Sequence, residues 1–173
     1  GFESGLPANW SIVNPDAATT WEPYSGAGSE GSNCMYIDIY NYNANHVIDD
    51  LMLPGVDLSS LTASTLTFDF AHALYSGLAE PVQDSLEVLV SADCGQTYSS
   101  LLVMSFDDLL TGPATQTSPF FPTAAQWESK TVDLSAYDGT SSLEVVFRAY
   151  SNYENNLFLS KINIMGTPVG IST

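Results

Sequence analysis

Short runs in which apolar and polar residues alternate recur along the whole chain, and clusters of Gly, Pro, Asn, Asp and Ser separate them. No run keeps a helical period for longer than a turn or two. The clearest stretch is 84–98, DSLEVLVSADCGQTY, where Leu86, Val88 and Val90 fall on one face and Glu87, Leu89 and Ser91 on the other. That period of two marks a half-buried strand. Asp93-Cys94-Gly95 ends it, and Gly95 can take the positive φ that a tight turn requires. Residues 34–42, CMYIDIYNY, read as a second strand, with Met35, Ile37 and Ile39 opposed to Tyr36, Asp38, Tyr40 and Tyr42. Residues 66–74 read as a central strand with Leu66, Phe68 and Phe70 inward.

Shorter strands are expected at 10–13, from Trp21 onward, and at 49–53, 101–106 and 127–134. Residues 143–150 and 157–164 are expected to form a closing pair. Between these runs lie a Gly/Ser loop at 25–33, a loop at 76–83 and a polar excursion at 107–116, followed by Phe120-Phe121-Pro122 packed onto the body. The loop 151–156, SNYENN, is too polar to be buried on this reading. About nine to eleven strands suit two packed antiparallel sheets, an all-β sandwich or jelly roll. At 173 residues one domain with a substantial core is expected, spanning 1–166, with 167–173 beginning a linker.

Charge narrows the partners. Twenty Asp and Glu face Lys130, Lys161 and Arg148, for a formal net charge of −17. Binding to nucleic acid draws on counterion release by Lys and Arg, which are nearly absent here, and anionic membranes are disfavoured for the same reason. The acids either keep an extracellular protein soluble or collect around calcium, a hard cation that takes oxygen ligands, and the two readings are compatible. No apolar run approaches the ~20 residues of a membrane span. Gly1 opens on a strand-like segment with no basic leader before it, so the sequence reads as a domain of a larger secreted protein.

Catalytic chemistry finds no support. There is no GxSxG elbow, no HExxH and no Gly-rich phosphate loop. His72 alternates with core positions and reads as a satisfied buried histidine, while His46 sits in an Asn-rich loop and reads as solvated. With so many acids, a carboxylate pair for glycoside hydrolysis carries no information. The expectation is no enzyme activity.

Binding chemistry has more to work with. Glu3 lies at the first strand and Asp49-Asp50 at the mouth of another, which suits calcium, although the twelve-residue calcium-loop spacing is absent. Solvated carboxylates at strand ends fit those positions equally. Tyr36, Tyr40 and Tyr42, on one face of one strand, are a candidate platform for sugar rings; the alternative is cross-strand packing. Arg148, the sole arginine, reads as half of a structural pair with Asp69 or Asp38. Cys34 and Cys94 permit either one disulfide or two free thiols. A bridge would close a loop of about 60 residues and contribute about 4 kcal/mol in the chain-entropy model.

Several segments together resemble one family. GFESGLPANW, NCMYIDIYNY, DDLMLPGVDLSS, LTFDFAHALYS, DSLEVLVSADCGQTY, the tryptophan followed by VDLSAYDG, and NNLFLSKINI resemble, in order, the cleaved-adhesin and choice-of-anchor domains of Bacteroidetes surface proteins. Gingipain adhesin domains are similar, and MAM domains more distantly so. The resemblance implies a jelly-roll β-sandwich in a secreted, multidomain protein. It also implies a non-catalytic module for adhesion or carbohydrate binding, with a glycan or a host or cell-surface protein as partner. The alternative is an accessory domain that stabilises or spaces a neighbouring enzyme such as a protease. GTPVGIST resembles the linker before a type IX secretion sorting domain. The family's calcium site implies Glu3, Asp49 and Asp50 as ligands, with Ser160 offering an oxygen where Ser160-Lys161 replaces the usual acidic pair. A secreted setting favours the Cys34–Cys94 bridge.

Overall fold

Each alternating run carries one apolar face that needs cover, and the chain supplies it by packing one sheet on another. A computed structural model describes residues 2–31, 33–43, 45–75 and 83–170. Among the described residues there are ten strands: β1 (Ser11–Val13), β2 (Glu22–Ser25), β3 (Asn33–Ile37), β4 (Val47–Met52), β5 (Leu61–His72), β6 (Ser85–Ser91), β7 (Ser99–Ser105), β8 (Glu128–Asp133), β9 (Glu144–Ser151) and β10 (Leu157–Pro168). They form two antiparallel five-stranded sheets, in the order β1-β4-β9-β6-β7 and β2-β3-β10-β5-β8. The protein is an all-β, jelly-roll-type sandwich.

Leu86, Val88 and Val90 point into the space between the sheets, as their alternation requires. There they share one cluster with Leu66, Phe68, Phe70, Phe147, Leu157 and Leu159. Phe68 of one sheet meets Phe147 of the other edge-to-face, with ring centroids 5.0 Å apart. A second, smaller cluster lies on the outside of the β2-β3-β10-β5-β8 sheet, where Cys34, Ala71, Ala73 and Phe158 pack under Ala27 and Phe120. The excursion after β7 is what covers them. Its Gly112 amide donates to the His72 carbonyl at 2.8 Å, and the Gln116 amide to that of Leu74 at 2.8 Å. A Cβ on Gly112 would stand 2.6 Å from the Phe120 ring, so glycine is required for this close approach.

Four expectations change. The strand read at 34–42 stops at Ile37; Ile39–Asn41 forms a 3-10 turn, and the Tyr40 amide donates to Asn156 Oδ1 at 3.2 Å. β9 and β10 do not pair: they lie in different sheets, and residues 152–156 carry the chain from one to the other. That connector is buried except at Tyr153, because its side chains replace water as partners for loop backbone. Asn155 Oδ1 accepts the Phe120 and Asn156 amides, its Nδ2 donates to the Gln116 and Ser118 carbonyls, and Asn156 Nδ2 donates to the Phe120 carbonyl. Finally, β10 runs on past 166: Thr167 and Pro168 stay in register with Thr62 and Leu61. The 76–82 part of the expected loop and the last three linker residues lie outside the described residues.

Candidate functional site: a groove on the outer face of one sheet

The register of β6 sets the site. Ser85 lies opposite Tyr150 of β9 on one side and Ser105 of β7 on the other, and Glu87 lies between Arg148 and Val103. These are the positions left when Leu86 and Val88 point inward, so they face away from the core. Just after β7 the chain turns at Phe106, which takes a left-handed φ of 51° and leaves its ring 45 % exposed. His46, Gln83 and Asn152 close the far end. Together these residues line a groove of about 450 Å³, within the range of small-ligand sites.

Its polar groups are partly fixed. The Tyr150 hydroxyl donates to Glu87 Oε2 at 2.6 Å, which holds both side chains in place. Asn152 is tied down at both ends, accepting from the His46 amide at 2.9 Å and donating to the Gln83 carbonyl at 2.8 Å. Burial, then the bond to Glu87, raises the Tyr150 phenol above its ordinary value, so it stays a neutral donor. Next along the face, Arg148 grips Asp50 from Nε and Nη2, both at 2.8 Å. Tyr98, 40 % exposed, donates to Glu144 Oε2 at 3.1 Å. The face thus presents Phe106, Tyr150 and Tyr98 among oxygen-bearing side chains. That is chemistry for binding.

The three tyrosines expected to form a platform do not share a face. Tyr36 stacks on Phe158 at 5.4 Å, inside the covered cluster of the opposite sheet. Tyr40, in the 3-10 turn, donates its hydroxyl to the Thr117 carbonyl at 3.0 Å. Tyr42 is buried and its hydroxyl is bound to Asp16. Tyr42 borders a second hollow of about 510 Å³, with Thr19, Thr20, Glu22 and Asp38, where it is the one aromatic ring among the described residues.

The residues expected to hold calcium are likewise dispersed. Asp50 points outward from β4 into the Arg148 pair, and directly opposite Arg148 in the register. That corrects the expected partner of Arg148, which is neither Asp69 nor Asp38. Asp49 points the other way and is fully buried, with no hydrogen-bond partner resolved at either carboxylate oxygen. Burial pushes its carboxyl up to about 6, against a lowering by the Thr20 hydroxyl beside it. Glu3 accepts from the Asn33 amide at 3.2 Å. Ser160 lies opposite Asp69 on β5. The four do not fit one cation, and among the described residues no group of three or more His, Cys, Asp or Glu side chains is placed to hold a metal. At the Ser160 end a positive charge is already built in. Lys161, on a bulge of β10 with φ 47°, sets its ammonium against Glu30 and at 3.4 Å from Asp69. Asp69 also accepts the Ser29 and Ser129 hydroxyls.

The cysteines are not joined. Cys34 is fully buried on β3, while Cys94 is exposed on the turn after β6, in the other sheet. Burial, then the nearby Glu3 charge, pushes the Cys34 thiol up to about 12. His72 is buried, as its alternation predicts, with Nε2 at 3.2 Å from Asp84. His46 is exposed, as expected, and it lines the groove.

Sequence reasoning missed Glu87, Tyr150 and Phe106. Glu87 and Tyr150 were legible as outward positions of two strands, but only the strand order makes those strands neighbours.

No known family's sequence profile matches the chain, and no curated protein is similar to it by sequence. Solved structures are similar in fold. The K1 cleaved adhesin domain of Lys-gingipain from Porphyromonas gingivalis W83 superposes with a TM-score of 0.69 at 24 % identity, over 96 % of this chain and 95 % of that one. The K2 domain of Lys-gingipain gives 0.66 at 20 %, over 95 % and 94 %. TmCBM61, solved with β-1,4-galactotriose, gives 0.62 at 12 %, over 96 % and 94 %. The chain therefore has the β-sandwich fold that cleaved adhesin domains and carbohydrate-binding modules share.

Proposed function

We propose that this chain is a non-catalytic, carbohydrate-binding module of a secreted, cell-surface protein, and that the glycan lies in the groove around Glu87, Tyr150 and Phe106. The observation that carries the reading is that groove itself. The exposed ring of Phe106 and the half-buried ring of Tyr150 offer flat apolar surface to sugar rings, while Ser85, Ser105 and Glu87 offer hydroxyl and carboxylate partners to sugar hydroxyls. The likeness in fold to TmCBM61 and to the gingipain adhesin domains supports the same reading.

A glycan array and an insoluble-polysaccharide pull-down test it, with wild type beside Tyr150→Ala and Phe106→Ala. Wild type is expected to retain at least one glycan class, and both variants to lose it while unfolding normally. Binding that survives both substitutions moves the site elsewhere. No retention of any glycan by wild type overturns the reading.

A further inference from the structure

From the same groove, and resting on that reading, we infer that the ligand is an uncharged glycan and that the face discriminates against uronate-rich and sulfated polymers. The case is made by where the few cations are. The chain has three lysines and arginines in all. Arg148 is the one on this face; its Nε and Nη2 are committed to Asp50, and it also bonds the Tyr150 side chain. Lys161 is held by Glu30 and Asp69 on the opposite sheet, and Lys130 stands on β8 of that sheet. Among the described residues no lysine or arginine lines the groove, and its one carboxylate, Glu87, lies two residues along β6 from Ser85 and accepts the Tyr150 hydroxyl.

Acidic polymers are normally gripped by free Arg or Lys, whose donors match carboxylate and sulfate oxygens. Here such an oxygen would instead meet Glu87, whose Oε2 already accepts a hydrogen bond from the Tyr150 hydroxyl, with Asp50 and Glu144 further along the face. The net charge of −17 adds a repulsive field on approach. A neutral sugar meets neither obstacle. Its hydroxyls donate to Glu87 and exchange bonds with Ser85 and Ser105, while the rings take its apolar faces.

The test compares neutral polysaccharides with their own carboxymethyl or sulfate derivatives, so that the sugar backbone is constant. Binding is read by affinity electrophoresis and calorimetry at neutral pH, at low and at high salt. The neutral polymer is expected to bind at least about tenfold more tightly at low salt, with the gap closing as salt is added. Glu87→Gln keeps an acceptor for the Tyr150 hydroxyl while removing the charge. It is expected to narrow the ratio between the two polymers, a readout that loss of folding would not produce. A charged derivative that binds as well as its neutral parent at low salt overturns the inference and leaves the glycan reading standing, as does a ratio unchanged in Glu87→Gln. Failure of every polymer, neutral or charged, overturns the glycan reading and this inference with it.

Discussion

The two sheets present their outer faces very differently. On the β2-β3-β10-β5-β8 sheet the outward positions include Cys34, Ala71, Ala73 and Phe158, and the segment between β7 and β8 lies over them. On the β1-β4-β9-β6-β7 sheet the outward positions include Asp50, Arg148, Glu87 and Tyr150, which pair sideways with one another across strands. Small or aromatic outward residues call for a cover. Charged and phenolic residues that satisfy each other need none, and their face stays open to a ligand. The difference was made by alternate residues of strands whose inward halves look alike.

The covered face should be the harder one to damage without unfolding. Phe158 touches Tyr24, Tyr36, Phe120, Phe121 and Trp127. Phe158→Ala is expected to cost about 3–5 kcal/mol in denaturant unfolding. Phe106→Ala on the open face should stay within about 0.5 kcal/mol of wild type while losing ligand. Equal stability losses at the two positions would dissolve the contrast.

Second in size is the connector that fastens the cover. Asn155→Ala strips partners from the Phe120 amide and from the Gln116 and Ser118 carbonyls, for an expected loss of about 2–3 kcal/mol. Hydrogen exchange should then rise at the Phe120 amide and leave β6 and β9 protected. A uniform rise across both sheets would mean that the cover does not open separately.

Asp49 probes the interior between the faces. Its folded carboxyl binds a proton up to about pH 6, against an ordinary value of 3.8, so the folded state holds more protons than the unfolded one in that window. Stability therefore falls as pH rises from about 4 through 6, by at most about 3 kcal/mol, and the penalty is complete above that. Asp49→Asn should raise Tm above pH 6 and flatten the slope between 4 and 6. A slope that persists in the variant would place its origin elsewhere.

The smallest effect belongs to Lys161. Its ammonium is partly exposed and Glu30 more so, so Lys161→Met is expected to lower Tm only slightly, and less still in salt. Wild type should melt at one temperature with millimolar calcium or with chelator. A calcium-dependent rise in Tm would point to a calcium site.

Much of the sandwich was legible because its rule is local: period two put Leu86, Val88 and Val90 inside without knowledge of their partners. What failed were statements about who stands next to whom. Arg148 finds Asp50 because β4 lies beside β9, and nothing within either strand says so. The tyrosines of 34–42 counted as one face only while the strand stayed straight; Asn156, more than a hundred residues on, takes the Tyr40 amide and the chain turns off. The polar stretch 151–156 was misjudged for a related reason. Polarity forbids burial only where partners are lacking, and the loops after β3, β5 and β7 supply them. The groove combines all three difficulties, since it draws on β6, β7, β9 and the segments beside them.

The two thiols offer a practical handle on this molecule. Cys34 is sealed in and held far from ionisation, whereas Cys94 stands exposed on its turn. The neighbouring Gly95 is packed within reach of the Tyr98 hydroxyl and the Glu144 carboxylate. A maleimide dye would therefore label the native protein at one position, at the edge of the open face. Its emission would follow occupancy of that face, so ligands could be screened by fluorescence on the unmutated chain.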